Sequence, residues 1–357
     1  MSNSKNVAAV VLVGGQGTRL RPLTLSAPKP MLPTAGVPFL THLLSRIRQA
    51  GIRNVVLGTS YRAATFSDYF GDGAAFGLEL EYVVETEPLG TGGAIRNVLD
   101  HISADDVMVF NGDILSGVDL TALLAAHRRK RADVTLHLVK VDDPRAFGCV
   151  PTDDDNRVQA FLEKTNAPPT DQINAGTYVF RRDVIAGIAA GRVVSVERET
   201  FPGLLAGGAR LFGHLDSTYW LDLGTPAAFV KGSADLVRGL APTDALPGPV
   251  ADSLLLPGAV ADTSAVIGGG TAVGRGARIE ATAQVDGSIV FDDARIGAGS
   301  VVRRSVIGRG AVVEDGAVIC DAVVGDGAVI GAGCELLAGI RVWPGVTIAP
   351  AGIRFSA

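Results

Sequence analysis

Two kinds of apolar pattern divide the chain at about residue 240. In the first part, short runs of consecutive apolar residues, such as Val7–Val13, alternate with segments whose apolar residues recur every three or four positions. A continuous apolar run is typical of a strand buried on both faces, and the 3.6-residue period is typical of an amphipathic helix. Strands that alternate with helices predict a parallel sheet covered by helices on both faces.

The first part also contains glycine-rich segments at the ends of predicted elements. Strands are predicted at Val7–Val13, Ile52–Leu57, Leu78–Val84, Val107–Phe110, Val134–Val141, Phe147–Val150, Val158–Leu162, Asn174–Phe180 and Tyr219–Leu223. Helices are predicted from Pro38 to Gly51, at Tyr61–Phe70, Ala94–Asp100 and Leu120–Arg129, and from Pro226 to about Arg238. Because ligands of such sheets bind at the carboxyl ends of the strands, we expect Gly14–Arg19, Glu85–Gly92 and Asn111–Asp113 on one rim.

From residue 258 onward, apolar residues recur every six positions among glycines and other small residues. They are Ile267, Val273, Ile279 and Val285, and later Ile330, Leu336, Val342 and Ile348. Between these two groups the phase slips by one residue at Val290, Ile307 and Val324. A hexapeptide period predicts a left-handed parallel β-helix with three faces per coil and apolar side chains stacked inside. Each slip predicts a shortened turn at the same corner of successive coils.

These patterns divide the 357 residues into an α/β domain (1–240), a proline-containing linker (241–257) and a β-helix domain (258–357). The net charge of −5 argues against nucleic acid as the main partner. No early segment resembles a secretory signal, and no apolar run is long enough to span a membrane. Three cysteines without CxxC spacing predict a reducing, cytoplasmic location and no zinc site.

The candidate chemistry begins in the segment Leu12–Met31, LVGGQGTRLRPLTLSAPKPM. Gly14, Gly15 and Gly17 follow a predicted strand, where backbone N–H groups without flanking side chains can contact an anion. Positive charge in the segment comes from Arg19, Arg21 and Lys29. A P-loop would have Lys-Ser/Thr after its last glycine, and a dinucleotide fingerprint would have a third glycine where this chain has leucine. With both motifs absent, the glycine turn by itself is more typical of a plain strand-to-helix connection than of a polyphosphate site.

The whole segment, GGxGTRLxPLT followed by PKPM, resembles the signature of the sugar nucleotidyltransferases, which join a nucleoside triphosphate to a sugar 1-phosphate. The resemblance covers roughly the first two-thirds of the chain and implies the family's fold, a Rossmann-like, doubly wound mixed α/β sheet. It implies that Arg19 and Lys29 stabilise the charge that grows on the departing pyrophosphate. The nucleotide-binding residues implied are Leu12, Val13, Gly14, Gly15, Gly17, Thr18, Arg19, Lys29, Glu85, Gly90, Thr91, Gly92 and Asn111.

The resemblance also implies a Mg²⁺ cofactor. Asp113, after Asn-Gly at a strand end, and Asp222, in WLDLGTP, match the family's two metal-binding aspartates. A Mg²⁺ ion that binds substrate phosphates needs only one or two protein carboxylates. The catalytic residues implied are Arg19, Lys29 and Asp113. A phosphate oxygen of the sugar 1-phosphate would attack the α-phosphorus in line, without a covalent enzyme intermediate.

The sugar 1-phosphate is implied to bind three segments, AFGCV, FLEKT and INAGTYVF. The residues that match the family in these segments are Gly148, Glu163, Lys164, Asn174 and Gly176. A compact ammonium such as that of Lys164 suits a phosphate group as a point charge. Phe147 and Thr165 replace the tyrosine and proline that the family often has, and neither replacement removes a charged group.

The segments ETEPLGTGGA, FNGD, FLEKT and INAG are most similar to the branch that uses GTP and mannose 1-phosphate, particularly its short form with a hexapeptide tail. Glu85 could accept hydrogen bonds from N1–H and the 2-amino group of guanine, or could be an ordinary solvated glutamate. The glycines of Gly90–Gly92 are expected to let the backbone approach the base and ribose. The alternative is a glucose 1-phosphate enzyme that uses dTTP, UTP or ATP.

Two other classes of protein remain as alternatives. Hexapeptide β-helices also form acyltransferases, which typically use a histidine of the β-helix as general base. All five histidines of this chain precede residue 240, which argues against that activity. A non-catalytic regulatory subunit would be expected to lose the signature charges, and Arg19, Lys29, Asp113 and Asp222 are all present. The tail is instead expected to pack on the catalytic domain and to contribute to a homo-oligomer.

Overall fold

The structure is a computed structural model that describes residues 7–60 and 62–355. It contains two compact units. The first runs to Gly15 and continues from Leu43 to Trp220, and the second combines Gln16–His42 with the chain from Leu221 onward. This division differs from the limits 1–240, 241–257 and 258–357, which stay a prediction.

The elements up to residue 240 largely follow the predicted order. They are β1 (Val7–Leu12), α1 (Leu23–Ser26), β2 (Pro33–Thr34), β3 (Val37–Pro38), α2 (Phe39–Gln49), β4 (Asn54–Thr59), α3 (Ala63–Phe70), β5 (Glu79–Val84), α4 (Gly90–Asn97), β6 (Asp106–Asn111), β7 (Ile114–Ser116), α5 (Leu120–Lys130), β8 (Val134–Lys140), β9 (Gly148–Cys149), β10 (Leu162–Glu163), β11 (Gln172–Arg181), α6 (Arg182–Ala186), α7 (Phe201–Ala206), β12 (Leu211–Leu215), β13 (Trp220–Asp222) and α8 (Pro226–Val237). No helix within the described ranges is long and apolar enough to cross a membrane.

The first unit is built on a mixed sheet that confirms the predicted fold class. Its main path runs β10-β9-β11-β6-β1-β4-β5, with β8 beside β11 and β12 beside β8. Strand β1 pairs in parallel with β4 and β6, whereas β11 is antiparallel to β6 and β8. The apolar run of β1 lies at the centre of this sheet and is buried, as a strand covered on both faces requires.

Some predicted bounds in the first unit were wrong, and some of its elements were not predicted. Helix α4 begins at Gly90 instead of Ala94, so most of the glycine-rich segment is helical. Strands β9 and β10 have only two residues each, and most of the predicted strand Val158–Leu162 is irregular. Strand β12, which pairs with β8, was not predicted. In α4 the cause is tertiary: the N–H groups of Gly92 and Gly93 donate to the carbonyl of Val194, 2.8 and 3.2 Å away.

The repeat region of the second unit is the parallel β-helix that the hexapeptide period predicts. Its short strands are β14 (Ser253–Leu255), β15 (Val260–Ala261), β16 (Val266–Gly268), β17 (Thr271–Val273), β18 (Arg278–Ile279), β19 (Gln284–Asp286), β20 (Ile289–Val290), β21 (Arg295–Ile296), β22 (Val301–Arg303), β23 (Val306–Ile307), β24 (Val312–Val313), β25 (Val318–Cys320), β26 (Val323–Val324), β27 (Val329–Ile330), β28 (Glu335–Leu336), β29 (Arg341–Val342) and β30 (Thr347–Ile348). They form three parallel sheets, the arrangement of the left-handed form, and one of these is β14-β17-β20-β23-β26-β29.

The one-residue slips are shortened turns at one corner, as predicted. Val290, Ile307 and Val324 pair in sequence within one sheet and are buried. At this corner the side-chain oxygen of Ser288 accepts a hydrogen bond from the N–H of Ser305, 3.1 Å away. The hydroxyl of Ser305 likewise accepts from Ala322 N–H at 3.1 Å. A buried hydroxyl ladder thus satisfies backbone groups that the tight turn leaves without a sheet partner.

The β-helix begins inside the residues expected to form a linker. Strand β14 lies within 241–257 and pairs in parallel with β17, and its Leu254 is buried. Leu256 directly after it is also buried. Because residues 241–257 contain several prolines, their sequence is typical of a linker. The alternation of Leu254 and Leu256, which marks a strand, is too short to stand out among them.

Candidate active site

In the first unit, a backbone hydrogen bond connects the carboxyl end of β1 to the turn that follows β6. The N–H of Gly112, in the turn after β6, donates to the carbonyl of Leu12 at 3.0 Å. A methyl group at Gly112 would lie 2.6 Å from that carbonyl and 2.8 Å from Val13 Cγ1, closer than atoms can approach. Glycine is therefore required here to bring Asp113 next to the end of β1, and sequence reasoning did not single it out.

The glycine turn begins at the same strand end. The hydroxyl of Ser60, directly after β4, donates to the carbonyl of Gly14 at 2.7 Å. The N–H groups of Gly14 and Gly15 donate to no other group among the described residues, and a methyl group at Gly15 would meet nothing within 4 Å. Two N–H groups are therefore available at the strand end, as binding of an anion requires.

The second unit contains the cationic part of the signature. Gly17 has a left-handed backbone (φ 59°) and precedes the 3₁₀ turn Thr18–Leu20. Its carbonyl accepts a hydrogen bond from Thr24 Oγ1 at 2.9 Å. A methyl group at Gly17 would lie 2.9 Å from Thr24 Cγ2 and 3.1 Å from Lys29 Cβ. The glycine thus lets the turn pack directly on the stem of Lys29.

Lys29 and Asp222, two of the predicted site residues, face each other in the second unit. Lys29 is largely buried, and its Nζ lies 3.8 Å from Asp222 Oδ1. Because a buried ammonium needs a nearby opposite charge, Asp222 compensates Lys29. A phosphate group or a cation that enters here would meet both charges.

Arg19 lies on the segment that follows Asp222. A methyl group placed on Gly224 would be 2.6 Å from Arg19 Nη2 and 2.9 Å from Cζ, so the guanidinium rests directly on the glycine backbone. Thr225 next to it caps α8, since its hydroxyl accepts from Ala228 N–H at 3.2 Å. The Gly-Thr-Pro sequence therefore both starts a helix and seats Arg19. The prediction recognised this motif for its aspartate alone.

Asn111, Asn174 and Gly176 meet in the first unit around a buried tyrosine. Asn174 Nδ2 donates to the hydroxyl of Tyr178 at 2.7 Å, and Asn174 Oδ1 accepts from Gly176 N–H at 3.1 Å. A methyl group on Gly176 would lie 2.9 Å from Asn111 Nδ2. Burial raises the pKa of Tyr178 far above its usual range, so this hydroxyl stays neutral. The network fixes Asn111, two residues before Asp113.

The predicted sugar residues also come together in the first unit. Glu163 pairs with Gly148 across β9 and β10, and a methyl group on Gly148 would lie 3.0 Å from Glu163 Oε2. Lys164 Nζ lies 3.6 Å from Glu163 Oε1, and its side chain is mostly exposed. Phe147 packs edge-on against Trp220, with ring centroids 5.4 Å apart. Trp220 Nε1 in turn donates to the carbonyl of Ala175, between Asn174 and Gly176, at 3.0 Å.

Gly90, Thr91 and Gly92 were predicted to bind the nucleotide because glycines would let the backbone approach the base and ribose. In the structure these glycines have another explanation. A methyl group on Gly90 would lie 2.7 Å from the Val194 carbonyl, so these glycines admit a protein segment. Thr91 Oγ1 donates to Glu197 Oε2 at 2.7 Å and accepts from Val196 N–H at 2.9 Å. These contacts account for the glycines without a ligand, and the nucleotide-binding role of the three residues stays a prediction.

Glu85 stands at the carboxyl end of β5, where the prediction expected it. Its N–H donates to the carbonyl of Thr59 at 2.8 Å, and its Oε2 accepts from Leu89 N–H at 3.3 Å. Partial burial raises the pKa of the carboxyl group, and the hydrogen bond from Leu89 opposes that shift. A half-buried carboxylate with acceptor capacity left over suits recognition of a ligand donor.

Each compact unit contains one of the two aspartates that are predicted to bind a magnesium ion, Asp113 in the first and Asp222 in the second. No group of three or more histidine, cysteine, aspartate or glutamate side chains within 7–60 and 62–355 could hold a metal ion. Asp113 and Asp222 offer carboxylate oxygens, which are the hard ligands that Mg²⁺ prefers. Each carboxylate by itself suits a Mg²⁺ ion that takes its remaining ligands from phosphates and water. All three cysteines are free thiols.

Comparison with known proteins defines the class to which this fold and these residues belong. Residues 8–239 match the family described as Nucleotidyl transferase, and residues 250–351 match the GMPPB C-terminal domain. The chain therefore belongs to the nucleotidyl transferase family.

Particular relatives carry more specific names. The chain is 65% identical over 274 residues, 76% of each protein, to a mannose-1-phosphate guanylyltransferase of Mycobacterium tuberculosis. It is 33% identical to mannose-1-phosphate guanylyltransferase 1 of Arabidopsis thaliana, with 74% of each chain covered. Among solved structures, HddC from Yersinia pseudotuberculosis complexed with GMP-PN aligns at a TM-score of 0.57 with 29% identity, covering 64% of this chain and 99% of that one.

Proposed function

We propose that the chain is a mannose-1-phosphate guanylyltransferase, which makes GDP-mannose and pyrophosphate from GTP and mannose 1-phosphate. The observation that carries the proposal is the 65% identity to a protein of that name over three-quarters of the chain. Retention of Arg19, Lys29, Asp113 and Asp222 supports an active enzyme over a regulatory subunit. The absence of histidine after residue 240 opposes an acyltransferase.

In this proposal, the glycine turn and its cations bind the triphosphate. The N–H groups of Gly14 and Gly15 contact phosphate oxygens, and Arg19 and Lys29 stabilise charge on the departing pyrophosphate. Such fixed donors act more strongly than water because they need no reorganisation during the reaction. Leu12, Val13, Gly17 and Thr18 shape the turn. Glu85 accepts hydrogen bonds from guanine, and Asn111 contacts the nucleotide.

The sugar 1-phosphate lies, in the same proposal, against Gly148, Glu163, Lys164, Asn174 and Gly176. Glu163 accepts hydrogen bonds from sugar hydroxyls, and the exposed ammonium of Lys164 contacts the phosphate. Asp113 and Asp222 are the proposed protein ligands of Mg²⁺, which when bound would neutralise phosphate charge. The protein itself orients the two substrates for in-line attack, and no residue forms a covalent intermediate.

One assay tests the substrate assignment. Pyrophosphate release is measured for GTP, ATP, UTP, CTP and dTTP, each with mannose 1-phosphate and with glucose 1-phosphate. We expect the highest kcat/KM for GTP with mannose 1-phosphate. A preference for dTTP, UTP or ATP with glucose 1-phosphate would instead assign the chain to the alternative branch. Release with none of the ten pairs would favour the non-catalytic subunit.

The proposal also includes a cytoplasmic location and a homo-oligomer. Three free cysteines support a reducing compartment. Trp343, Val346 and Phe355, near the carboxyl end of the β-helix, are exposed apolar residues that a second copy could cover. Light scattering coupled to size exclusion measures the mass, and a monomer at micromolar concentration would refute the oligomer.

A further inference from the structure

The segment that carries Arg19 and Lys29 belongs to the same compact unit as the β-helix. Gln16–His42 and the chain from Leu221 onward form this unit. The N–H of Ala35 donates to Ser233 Oγ of α8 at 2.9 Å, and His42 Nδ1 lies 2.8 Å from Thr243 Oγ1. Arg19 and Lys29, which are proposed to bind the triphosphate, therefore belong to a segment that is supported by helix α8 and by residues predicted to form a linker and a tail.

One sheet of the β-helix contacts this segment at both ends of its stack. Leu256, directly after the first strand β14, would lie 2.9 Å from a methyl group on Gly36, so the two residues pack closely. At the other end of the same sheet, Arg341 of β29 donates from Nη1 to the carbonyl of Arg21 at 2.8 Å. The side chain of Arg341 points away from the stacked core, where Val342 beside it is buried.

Arg21 lies two residues after Arg19 in the sequence and is hydrogen-bonded to the same turn. The N–H of Arg21 donates to the carbonyl of Thr18 at 3.2 Å and closes the 3₁₀ turn that carries Arg19. A donor on the Arg21 carbonyl therefore fixes the end of this turn opposite Gly17. A charged donor on a carbonyl forms one of the stronger single hydrogen bonds in proteins.

We propose that Arg341 of the β-helix is a positioning residue for the triphosphate-binding turn and acts through Arg21 on the placement of Arg19. The β-helix is then part of the catalytic apparatus as well as a surface for assembly. The inference rests on the proposed function because it assumes that Arg19 contacts the triphosphate. It predicts an effect on GTP that does not extend to mannose 1-phosphate.

The test compares Arg341→Ala and Arg341→Lys with Arg278→Ala, an exposed arginine of β18 on another face of the β-helix. Steady-state kcat and KM are measured for each substrate in the full-length protein, together with the thermal unfolding temperature. We expect Arg341→Ala to lower kcat/KM for GTP about tenfold, with KM for mannose 1-phosphate and the unfolding temperature unchanged. Arg341→Lys, which keeps a charged donor, should recover part of the loss, and Arg278→Ala should match the wild type.

Two outcomes would overturn the inference. One is wild-type kinetics for GTP in Arg341→Ala. The other is an equal loss of kcat/KM for both substrates together with a lower unfolding temperature, which is the behaviour of a purely structural residue. Arg19→Ala separates this failure from failure of the proposed function. If Arg19→Ala is inactive while Arg341→Ala is normal, only the positioning role fails. If Arg19→Ala has normal activity, the triphosphate assignment itself fails.

Discussion

Gly224→Ala should reduce catalysis by displacing Arg19 while leaving the fold intact. The added methyl group would lie 2.6 Å from Arg19 Nη2, 2.9 Å from Cζ and 3.0 Å from Nη1. Carbon and nitrogen atoms in contact are normally ~3.5 Å apart, so the guanidinium must move by about 1 Å. Gly224 is absent from the glycines with a positive φ, so alanine can adopt its backbone conformation.

The size of the effect follows from that displacement. Misplacing a group by about 1 Å can cost about 100-fold in rate when the group acts on the transition state. Because Arg19 is a flexible side chain that can partly readjust, we expect kcat/KM for GTP to fall by about 10- to 100-fold, or ~1.4–2.7 kcal/mol. The unfolding temperature should stay close to that of the wild type.

The assay is pyrophosphate release at varied GTP and saturating mannose 1-phosphate, with thermal unfolding measured in parallel. Gly203→Ala is the matched control, because a methyl group there meets nothing within 4 Å. It should leave kcat/KM unchanged. Wild-type kcat/KM in Gly224→Ala would refute the reasoning, since the methyl group cannot be accommodated without moving Arg19. An activity loss accompanied by a large fall in unfolding temperature would place the cause in the backbone instead.

Three further predictions address the metal, the base and the pH dependence. Asp113→Asn should lower turnover by at least about 100-fold at unchanged unfolding temperature, because a neutral amide binds Mg²⁺ poorly; near-normal turnover at any Mg²⁺ concentration would contradict its role. Glu85→Gln should lower kcat/KM for GTP about tenfold relative to ATP in a competition assay, since one acceptor for guanine is lost; an unchanged ratio would remove Glu85 from base recognition. Burial lowers the pKa of His42 from 6.5 to about 4, so the unfolded chain takes up a proton first as pH falls and stability is lost between those two values. At pH 5 this amounts to about 2 kcal/mol, and denaturant unfolding of His42→Gln should show a correspondingly smaller difference between pH 7 and pH 5; equal differences would contradict the assignment.

The β-helix could be predicted in detail because its sequence carries a redundant signal. Stacked positions of successive coils repeat the same requirement for a buried apolar residue, as Val290, Ile307 and Val324 show. The shortened turn at one corner could likewise be predicted, because it shifts the six-residue apolar period by one residue. The rim of the first unit followed from a general rule for parallel strands, since β1, β4, β5 and β6 end at Leu12, Thr59, Val84 and Asn111.

Features that depend on distant residues could not be predicted from the sequence. The glycines of α4 read as a loop because the segment that packs on them, around Val194, lies about 100 residues later. The importance of Gly224 depends on which side chain lies over it, and nothing in LGTP identifies Arg19. Arg341 has the same pattern as other outward residues of the repeat, such as Arg278, and only its hydrogen bond to Arg21 distinguishes it.

The limit of the family match and the limits of the two compact units fall at different residues, and the contacts of Gly36 explain this difference. The nucleotidyl transferase family match ends at residue 239. Yet Gly36 (φ 88°) packs directly against Leu256 and Pro247, and His42 Nε2 contacts the carbonyl of Thr34 while Nδ1 contacts Thr243. Residues 241–257 therefore pack against the segment that carries Arg19 and Lys29 and support it. A change in their length would disturb that segment, because these residues are not a free spacer.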